Sequence, residues 1–466
     1  MNNNLLRKIP KMDSLLNDLP DHYKFRFDNI HLKKTIEKIL NQFRIQIQSG
    51  QIETFENSDI MSQIRIELDK MIDSTFKRVI NGTGIVLHTN LGRAVISEAI
   101  IEEIAPLMTH YNTLEYDVET GRRGIRYQHI EEKLCAITGA EAALIVNNNA
   151  AAVMLILNTL AQNKDVIVSR GELVEIGGSF RVPDVMKASN SKLVEVGTTN
   201  KTHLKDYASS IHENTGMLMK VHTSNYKILG FTSSVEASEL VELAHQKDIP
   251  LYEDLGSGLI VDLSPYGIAD EPLVQDSIKN GIDILSFSGD KLFGGAQAGF
   301  IIGKKRYIDQ IKKNQLLRAF RIDKFSLAVI DRTLNDYFSP SYAAMHIPTL
   351  RMLVLSKQDI EDKVSKFITT YKKRLSLSNI SVTGVETFAE VGGGALPLEK
   401  LSSYGIRIVH EYSHNTIQSN LRKFTVPIIS VIINDQLILD FRTISESEFD
   451  DLVSGIEFAV SGGSNA

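Results

Sequence analysis

The sequence predicts an α/β chain: a mostly parallel central sheet with helices on both faces, preceded by a small helical domain and followed by a smaller α+β domain. Three observations predict it. Seven short β-rich runs, at 143–146, 166–168, 193–196, 218–222, 249–253, 284–287 and 300–303, alternate with helix-length stretches, the pattern of βαβ units. The first 80 residues instead carry apolar side chains at helical spacing (Ile36, Ile39, Leu40 and Phe43, then Ile60, Ile64 and Leu68, flanked by Ile30, Met71 and Ile72) and almost no glycine. The last stretch opens on Pro340 and Pro348, reads as helix near 353–375, and ends in alternating segments at 426–433 and 437–441. The expected domains are 1–80, 81–335 and 336–466.

Composition narrows the function classes. Of 466 residues, 43% are hydrophobic and 23% charged, with 30 Gly, which excludes disordered and collagen-like chains. The net charge of −6 argues against a protein whose whole surface binds nucleic acid. Positive charge gathers at the start, with 9 basic against 5 acidic residues in positions 1–44. A single cysteine, Cys135, excludes an intrachain disulfide and a multi-cysteine zinc site, and its helical context reads as a small core residue. No run approaches the roughly 20 apolar residues of a membrane span, and the polar, mixed-charge opening lacks the apolar stretch of a signal peptide. No HExxH or clustered-histidine pattern implies a metal. A cytoplasmic protein without membrane or metal is expected.

The chemistry lies at the ends of the runs. Ser286-Phe-Ser-Gly-Asp-Lys291-Leu-Phe-Gly-Gly-Ala-Gln-Ala-Gly299 sets a lysine just past a strand in a loop of small residues. Upstream, Tyr252-Glu-Asp254-Leu-Gly-Ser-Gly258 ends another strand on a carboxylate. Pyridoxal 5'-phosphate needs this pairing: a lysine to hold its aldehyde and a carboxylate to keep its ring nitrogen protonated. Lys291 and Asp254 are the candidates. Asn147-Asn148-Asn149-Ala150, where a strand turns into a helix, can offer backbone donors to the phosphate, with Asn148, Asn149 and Ala150 nearest it. Ser288 can add a hydroxyl, and Asn225 a hydrogen bond to the phenolic oxygen. Taken singly, such a lysine is usually solvated, such an Asp an N-cap and such asparagines a turn; their order on one α/β scaffold favours the cofactor.

Longer motifs carry a resemblance. Val79-Ile-Asn-Gly-Thr-Gly-Ile-Val-Leu-His88-Thr-Asn-Leu-Gly-Arg93, Thr113-Leu-Glu-Tyr-Asp117, Ile145-Val-Asn-Asn-Asn-Ala-Ala-Ala-Val153, Val196-Gly-Thr-Thr-Asn200 and the lysine loop resemble the bacterial selenocysteine synthase family, the L-seryl-tRNA(Sec) selenium transferases. The likeness runs from about Leu5 to Ile444 and is weakest after about Ser376. It implies a fold-type-I pyridoxal phosphate enzyme that converts seryl-tRNA(Sec) to selenocysteinyl-tRNA(Sec) by β-elimination to aminoacrylyl-tRNA and addition of selenium from selenophosphate. A homodecamer and a tRNA-gripping N-terminal domain are implied with it. Residue by residue, Lys291 matches the cofactor lysine, Asp290 the acid beside it, and Arg93, Arg318 and Arg321 the positions for the anionic selenium donor.

The residues themselves agree in part. Arg318 and Arg321 are three apart on a predicted helix, which would present two guanidinium forks on one face; an ion-paired helix face is the plainer reading. Asp290 is placed to move protons or merely to shape its loop. Arg442, in Leu-Asp-Phe-Arg-Thr, reads as structural, because the seryl carboxyl is esterified and carries no charge for it to bind. The cofactor motif alone also admits a lyase or aldolase acting on a free amino acid or amino sugar acid, and a tRNA-binding protein without catalysis is the third reading.

Overall fold

The computed structural model describes residues 2–173, 175–176, 180–224, 226–377, 380–397 and 399–462. The chain forms two compact units, Met1–Arg78 and Val79–Ala466.

The first unit is helical throughout: Asn2–Leu6, Met12–Asp18, Asp21–Arg26, Asn29–Gln48 and Asn57–Ile72. Asp28 starts the long helix by accepting the His31 N–H at 2.8 Å. Leu32, Ile36, Ile39, Leu40, Phe43 and Ile47 fall on one stripe of it and pack with Ile60, Ile64 and Leu68. Ile30 and Met71 lie outside that stripe and are mostly exposed.

The second unit is built on seven strands: β1 Ala142–Val146, β2 Asp165–Ser169, β3 Lys192–Val196, β4 Thr215–Val221, β5 Leu251–Gly256, β6 Ile284–Ser288 and β7 Gly299–Gly303. Their order across the sheet is β1-β7-β6-β5-β4-β2-β3. Six run the same way. β7 is antiparallel to β1 and β6, because the residues from Gly289 to Ala298 are too few for a helical crossover and can only turn the chain back. Apolar layers cover both faces, which is why β1, β6 and β7 are buried along their whole lengths. The shared direction of β1, β5 and β6 puts their carboxyl ends, with Asn147–Asn149, Asp254 and the Lys291 loop, on one edge of the sheet.

A second sheet holds β8 Ser381–Glu390, β9 Lys400–Val409, β10 Val431–Ile433 and β11 Gln436–Asp440, antiparallel in the order β8-β9-β11-β10. Helices Lys357–Leu377 and Phe449–Val460 pack on it around Phe367, Phe441 and Phe449. Ile80–Asn81 pairs with Ile428–Ile429, so the start of the second unit is woven into its C-terminal part. The division between units falls at 78/79. The expected boundary at 335/336 lies within helix Lys324–Asp336, inside the second unit.

Arg442 joins the two regions of this unit. Its buried guanidinium donates to the carbonyls of Met352 at 2.6 Å and Leu355 at 3.0 Å, and to that of Ser402 on β9 at 2.8 Å. Arg442→Ala would strand these acceptors, and we expect it to cost about 3 kcal/mol. Denaturant titration of the full chain checks this; an unchanged midpoint would mean that the carbonyls find other donors.

Candidate active site

Asp254 lies two residues before the end of β5, almost fully buried, and three side chains shape its surroundings. Asn149 Nδ2 donates to its Oδ1 at 2.8 Å, Ser286 Oγ reaches the same oxygen at 3.4 Å, and the Tyr252 hydroxyl lies 2.7 Å from Ser286 Oγ. Burial pushes the Asp254 carboxyl above its ordinary value, while the Asn149 hydrogen bond and the charge of Lys291 draw it back. Ser286, which no local signal beyond its place in the lysine motif marks out, proves to be part of this support.

Lys291 lies three residues beyond the end of β6, 7% exposed, and its amine has no hydrogen bond or ion pair among the described residues. Burial pulls its amine below the ordinary lysine value, with Asp254 acting in the opposite direction. Gly256, at φ 71°, turns the chain after Asp254 and leaves room for the lysine; a Cβ there would sit 3.8 Å from Nζ. The Leu292 N–H donates to the Ser257 carbonyl at 3.0 Å and the Gly294 N–H to the Lys291 carbonyl at 2.9 Å, which fixes the loop that carries the amine.

Helix Asn149–Leu160 follows directly on the asparagine turn, with Asn148 as its N-cap. Asn148 Oδ1 accepts the Ala151 N–H at 2.9 Å. The N–H groups of Asn149 and Ala150 have no carbonyl partner within the helix, and so remain available to an anion. Gly299 makes the close approach possible, since a Cβ there would collide with the Asn148 carbonyl. Ser288 is buried at the end of β6. A buried unpaired amine, a buried carboxylate and a helix N-terminus on one sheet edge are the donor set that pyridoxal phosphate requires, and these residues fit it. Asn225 lies outside the described residues.

The predicted arginines do not form one cluster. Arg93, at φ 61° after Gly92, places Nη1 2.8 Å from Asp290 Oδ2, and Asp290 is held in an ion pair next to Lys291. Arg318 and Arg321 line a cavity of about 380 Å³ that Arg93 does not line. Nor do these two share a helix face: the helix is only Leu316–Ala319, and Arg321 follows its end. The chain after Phe320 leaves the helix toward Asp323, which caps the next one, and the cavity unites the two guanidinium groups instead. Arg123, Arg126, Lys312, Lys313 and Glu115 complete its charged lining, and none of these was predicted. Glu115 sits inside the motif Thr113–Asp117, whose two acidic residues and one tyrosine give no hint of arginine partners.

Several other groups find structural partners. Glu172 is buried and accepts the Val221 N–H at 2.8 Å, and Arg170 pairs with Glu195 at 2.9 Å on the surface. His222 Nε2 lies 3.4 Å from Glu271 Oε1 near the end of β4. No group of three or more His, Cys, Asp or Glu able to hold a metal occurs among the described residues, and no described helix is long and apolar enough to cross a membrane.

Comparisons with known proteins agree with this geometry. The family described as SelA, L-seryl-tRNA selenium transferase, matches residues 79–445. An L-seryl-tRNA(Sec) selenium transferase of Clostridium perfringens is 45% identical over 459 residues, covering 98% of this chain and 99% of that protein. One of Alkaliphilus oremlandii is 48% identical over 427 residues, covering 90% and 91%. Among solved structures, a D-glucosaminate-6-phosphate ammonia-lyase superposes with a TM-score of 0.59 at 17% identity, over 85% of this chain and 99% of that one, a likeness of fold.

Two outcomes follow from the packing. Gly299→Ala pushes Asn148 off the sheet edge and should weaken pyridoxal phosphate binding at least about tenfold, the loss of one charge-assisted hydrogen bond, as read by titrating the apoprotein with cofactor. Undiminished affinity would move the phosphate away from this helix. Cys135 is half-buried, and burial pushes its thiol up to about 11, so the reactive thiolate is scarce at pH 8. Alkylation there should run at least about 100-fold slower than for a free thiol of ordinary acidity and accelerate as pH approaches 11. Fast reaction at pH 8 would reopen a role for the cysteine as a selenium carrier.

Proposed function

The chain belongs to the L-seryl-tRNA selenium transferase family, and from that membership we propose that it converts L-seryl-tRNA(Sec) to L-selenocysteinyl-tRNA(Sec), with pyridoxal phosphate as its resident cofactor. The observation that carries the reading is the buried, unpaired Lys291 amine beside the buried Asp254 carboxylate.

Pyridoxal phosphate, when bound, supplies the electron sink that acidifies the seryl Cα–H and lets the β-hydroxyl depart. Lys291 would anchor the cofactor and its amine would take the Cα proton; burial lowers its proton affinity, which favours the basic form that this step needs. Asp254 holds the proton of the ring nitrogen, and Asn149 and Ser286 hold Asp254 in place. The N–H groups at Asn149 and Ala150, the Ser288 hydroxyl and Asn225 are assigned to the cofactor's polar groups.

Selenium is delivered by a soluble donor, since Cys135, the only cysteine, is half-buried and its thiol is hard to ionise. We assign selenophosphate to that role and Arg318 and Arg321 to its binding, because they line a cavity rich in cations. Arg93 and Asp290 form a pair beside Lys291, through which Arg93 steers anionic groups toward the amine and Asp290 shuttles the proton released there. The helical unit, with Lys8, Lys11, Lys24, Arg26, Lys33 and Lys34 all exposed, is assigned to the tRNA. A cytoplasmic homodecamer completes the proposal.

The test is a visible absorption spectrum of wild-type and Lys291→Ala protein, each with seryl-tRNA(Sec) and with free serine. The expected outcome is a cofactor band that depends on Lys291 and shifts only with the charged tRNA. A shift with free serine alone would point to a small-molecule lyase, and a band independent of Lys291 would remove the lysine from its role.

A further inference from the structure

The motif Thr113–Asp117 has no part in the chemistry above, yet it delivers a carboxylate into the arginine cavity. Glu115 Oε1 accepts from Arg126 Nε at 3.2 Å and from Arg321 Nη1 at 3.1 Å, and Oε2 accepts from Arg123 Nη2 at 3.1 Å. Although partial burial works against its charge, these three guanidinium groups hold the Glu115 carboxyl below its ordinary value. Arg318 and Lys313, on the same wall, have no ion pair among the described residues. The cavity is therefore a cation-rich anion site that contains one anion of its own.

That carboxylate is a liability for affinity, since any incoming anion meets it at close range. It becomes useful if the incoming anion carries a proton. A carboxylate oxygen offers two in-plane acceptor positions; both on Oε1 are taken, whereas Oε2 has one donor, Arg123, and one position open. A tetrahedral oxyanion with an acidic hydrogen, of the hydrogen-phosphate class, can donate to that position while Arg318 and Arg321 take its charged oxygens. A fully deprotonated oxyanion such as sulfate can only present lone pairs to it and is repelled. Selectivity then comes from a buried-side repulsion that only the wrong ligand feels.

From this geometry we infer that Glu115 is a specificity-determining residue of the donor cavity, selecting a protonated phosphate-type anion over sulfate-type anions. The inference rests on the reading of this cavity as the donor site. Because the carboxylate also braces Arg126 and Arg321, Glu115→Gln is the informative change: it keeps an acceptor for the guanidinium groups and replaces the repelling oxygen or its neighbour with an N–H donor.

The experiment measures dissociation constants of inorganic phosphate and of sulfate by calorimetry on the cofactor-loaded full chain, near pH 7.5 and at fixed ionic strength, for wild type, Glu115→Gln and Arg318→Ala. Wild type should favour phosphate by about tenfold or more, and Glu115→Gln should shrink that preference about tenfold, chiefly by tightening sulfate. Arg318→Ala should weaken both anions together. A phosphate-to-sulfate ratio left unchanged by Glu115→Gln, with both anions still sensitive to Arg318, would overturn the role of Glu115 alone. Binding of both anions indifferent to Arg318 would instead overturn the cavity as the donor site. Thermal unfolding of the variants shows whether weaker binding of both anions by Glu115→Gln comes from lost bracing, an outcome that also rejects a selective role.

Discussion

An amine and a carboxylate that must both be buried set the terms for the rest of the site. Removing Lys291 and Asp254 from water disfavours the charge on each, so the carboxylate is pushed up and the amine pulled down. The fold meets this cost unequally. Asp254 is given Asn149 and Ser286, with Tyr252 behind the serine, so its oxygen is already oriented. Lys291 is given no partner, which leaves the amine free to react. The asymmetry is what separates a reactive lysine from a salt bridge, where the same two residues would neutralise each other and bind nothing else.

Holding that asymmetry requires a rigid base. Phe287, Phe293 and Phe300 pack under the lysine loop, with ring centroids 4.6 Å apart for Phe287 and Phe300 and 4.8 Å for Phe293 and Phe300, and the Tyr337 hydroxyl donates to the Phe293 carbonyl at 2.6 Å. The return strand β7 serves two ends at once: it closes the lysine loop on β6 and, through Gly299, lets the Asn148 turn come down on the sheet edge. The Asn147 N–H then donates to the Phe320 carbonyl at 2.9 Å, between Arg318 and Arg321. The turn at Asn147–Asn149 and the segment carrying the cavity arginines are thus tied by one backbone hydrogen bond, so neither can shift without straining the other.

Much of this was legible in the residues. The seven strands were, because buried parallel strands must be apolar on both faces, and so was the placement of Lys291 and Asp254 at the sheet edge, because each comes shortly after such a run. The reversal of β7 could have been read from the short distance between Ser288 and Gly299, but alternation of strand and helix signals masks a single antiparallel return. Arg318 and Arg321 were found by resemblance and misplaced by periodicity: a spacing of three suggests a helix face, whereas the helix stops at Ala319. Glu115, Arg123 and Arg126 were illegible as a group, since they meet Arg321 only through the fold, about 200 residues away in sequence. The connection between the two ends of the second unit is hidden for a similar reason. The pairing of Ile80–Asn81 with Ile428–Ile429 is a long-range contact that no local composition announces.

The overall charge of −6 looks unsuited to an enzyme that handles a polyanion and an anionic donor, yet charge acts locally. At physiological salt the screening length is about 8 Å, so a distant surface carboxylate adds almost nothing to the potential inside a cavity. What an anion meets there is set by the groups on the wall, where Arg123, Arg126, Lys312, Lys313, Arg318 and Arg321 accompany the one carboxylate of Glu115. The acidic surplus is spread over the rest of the surface, and part of it is paired, as in Asp270 with Lys227 at 2.8 Å and Asp331 with Lys133 at 2.6 Å. A moderately acidic exterior with concentrated basic pockets suits such a substrate better than a basic exterior, because it leaves non-specific RNA without a broad surface to hold while preserving strong fields where the reacting groups must be placed.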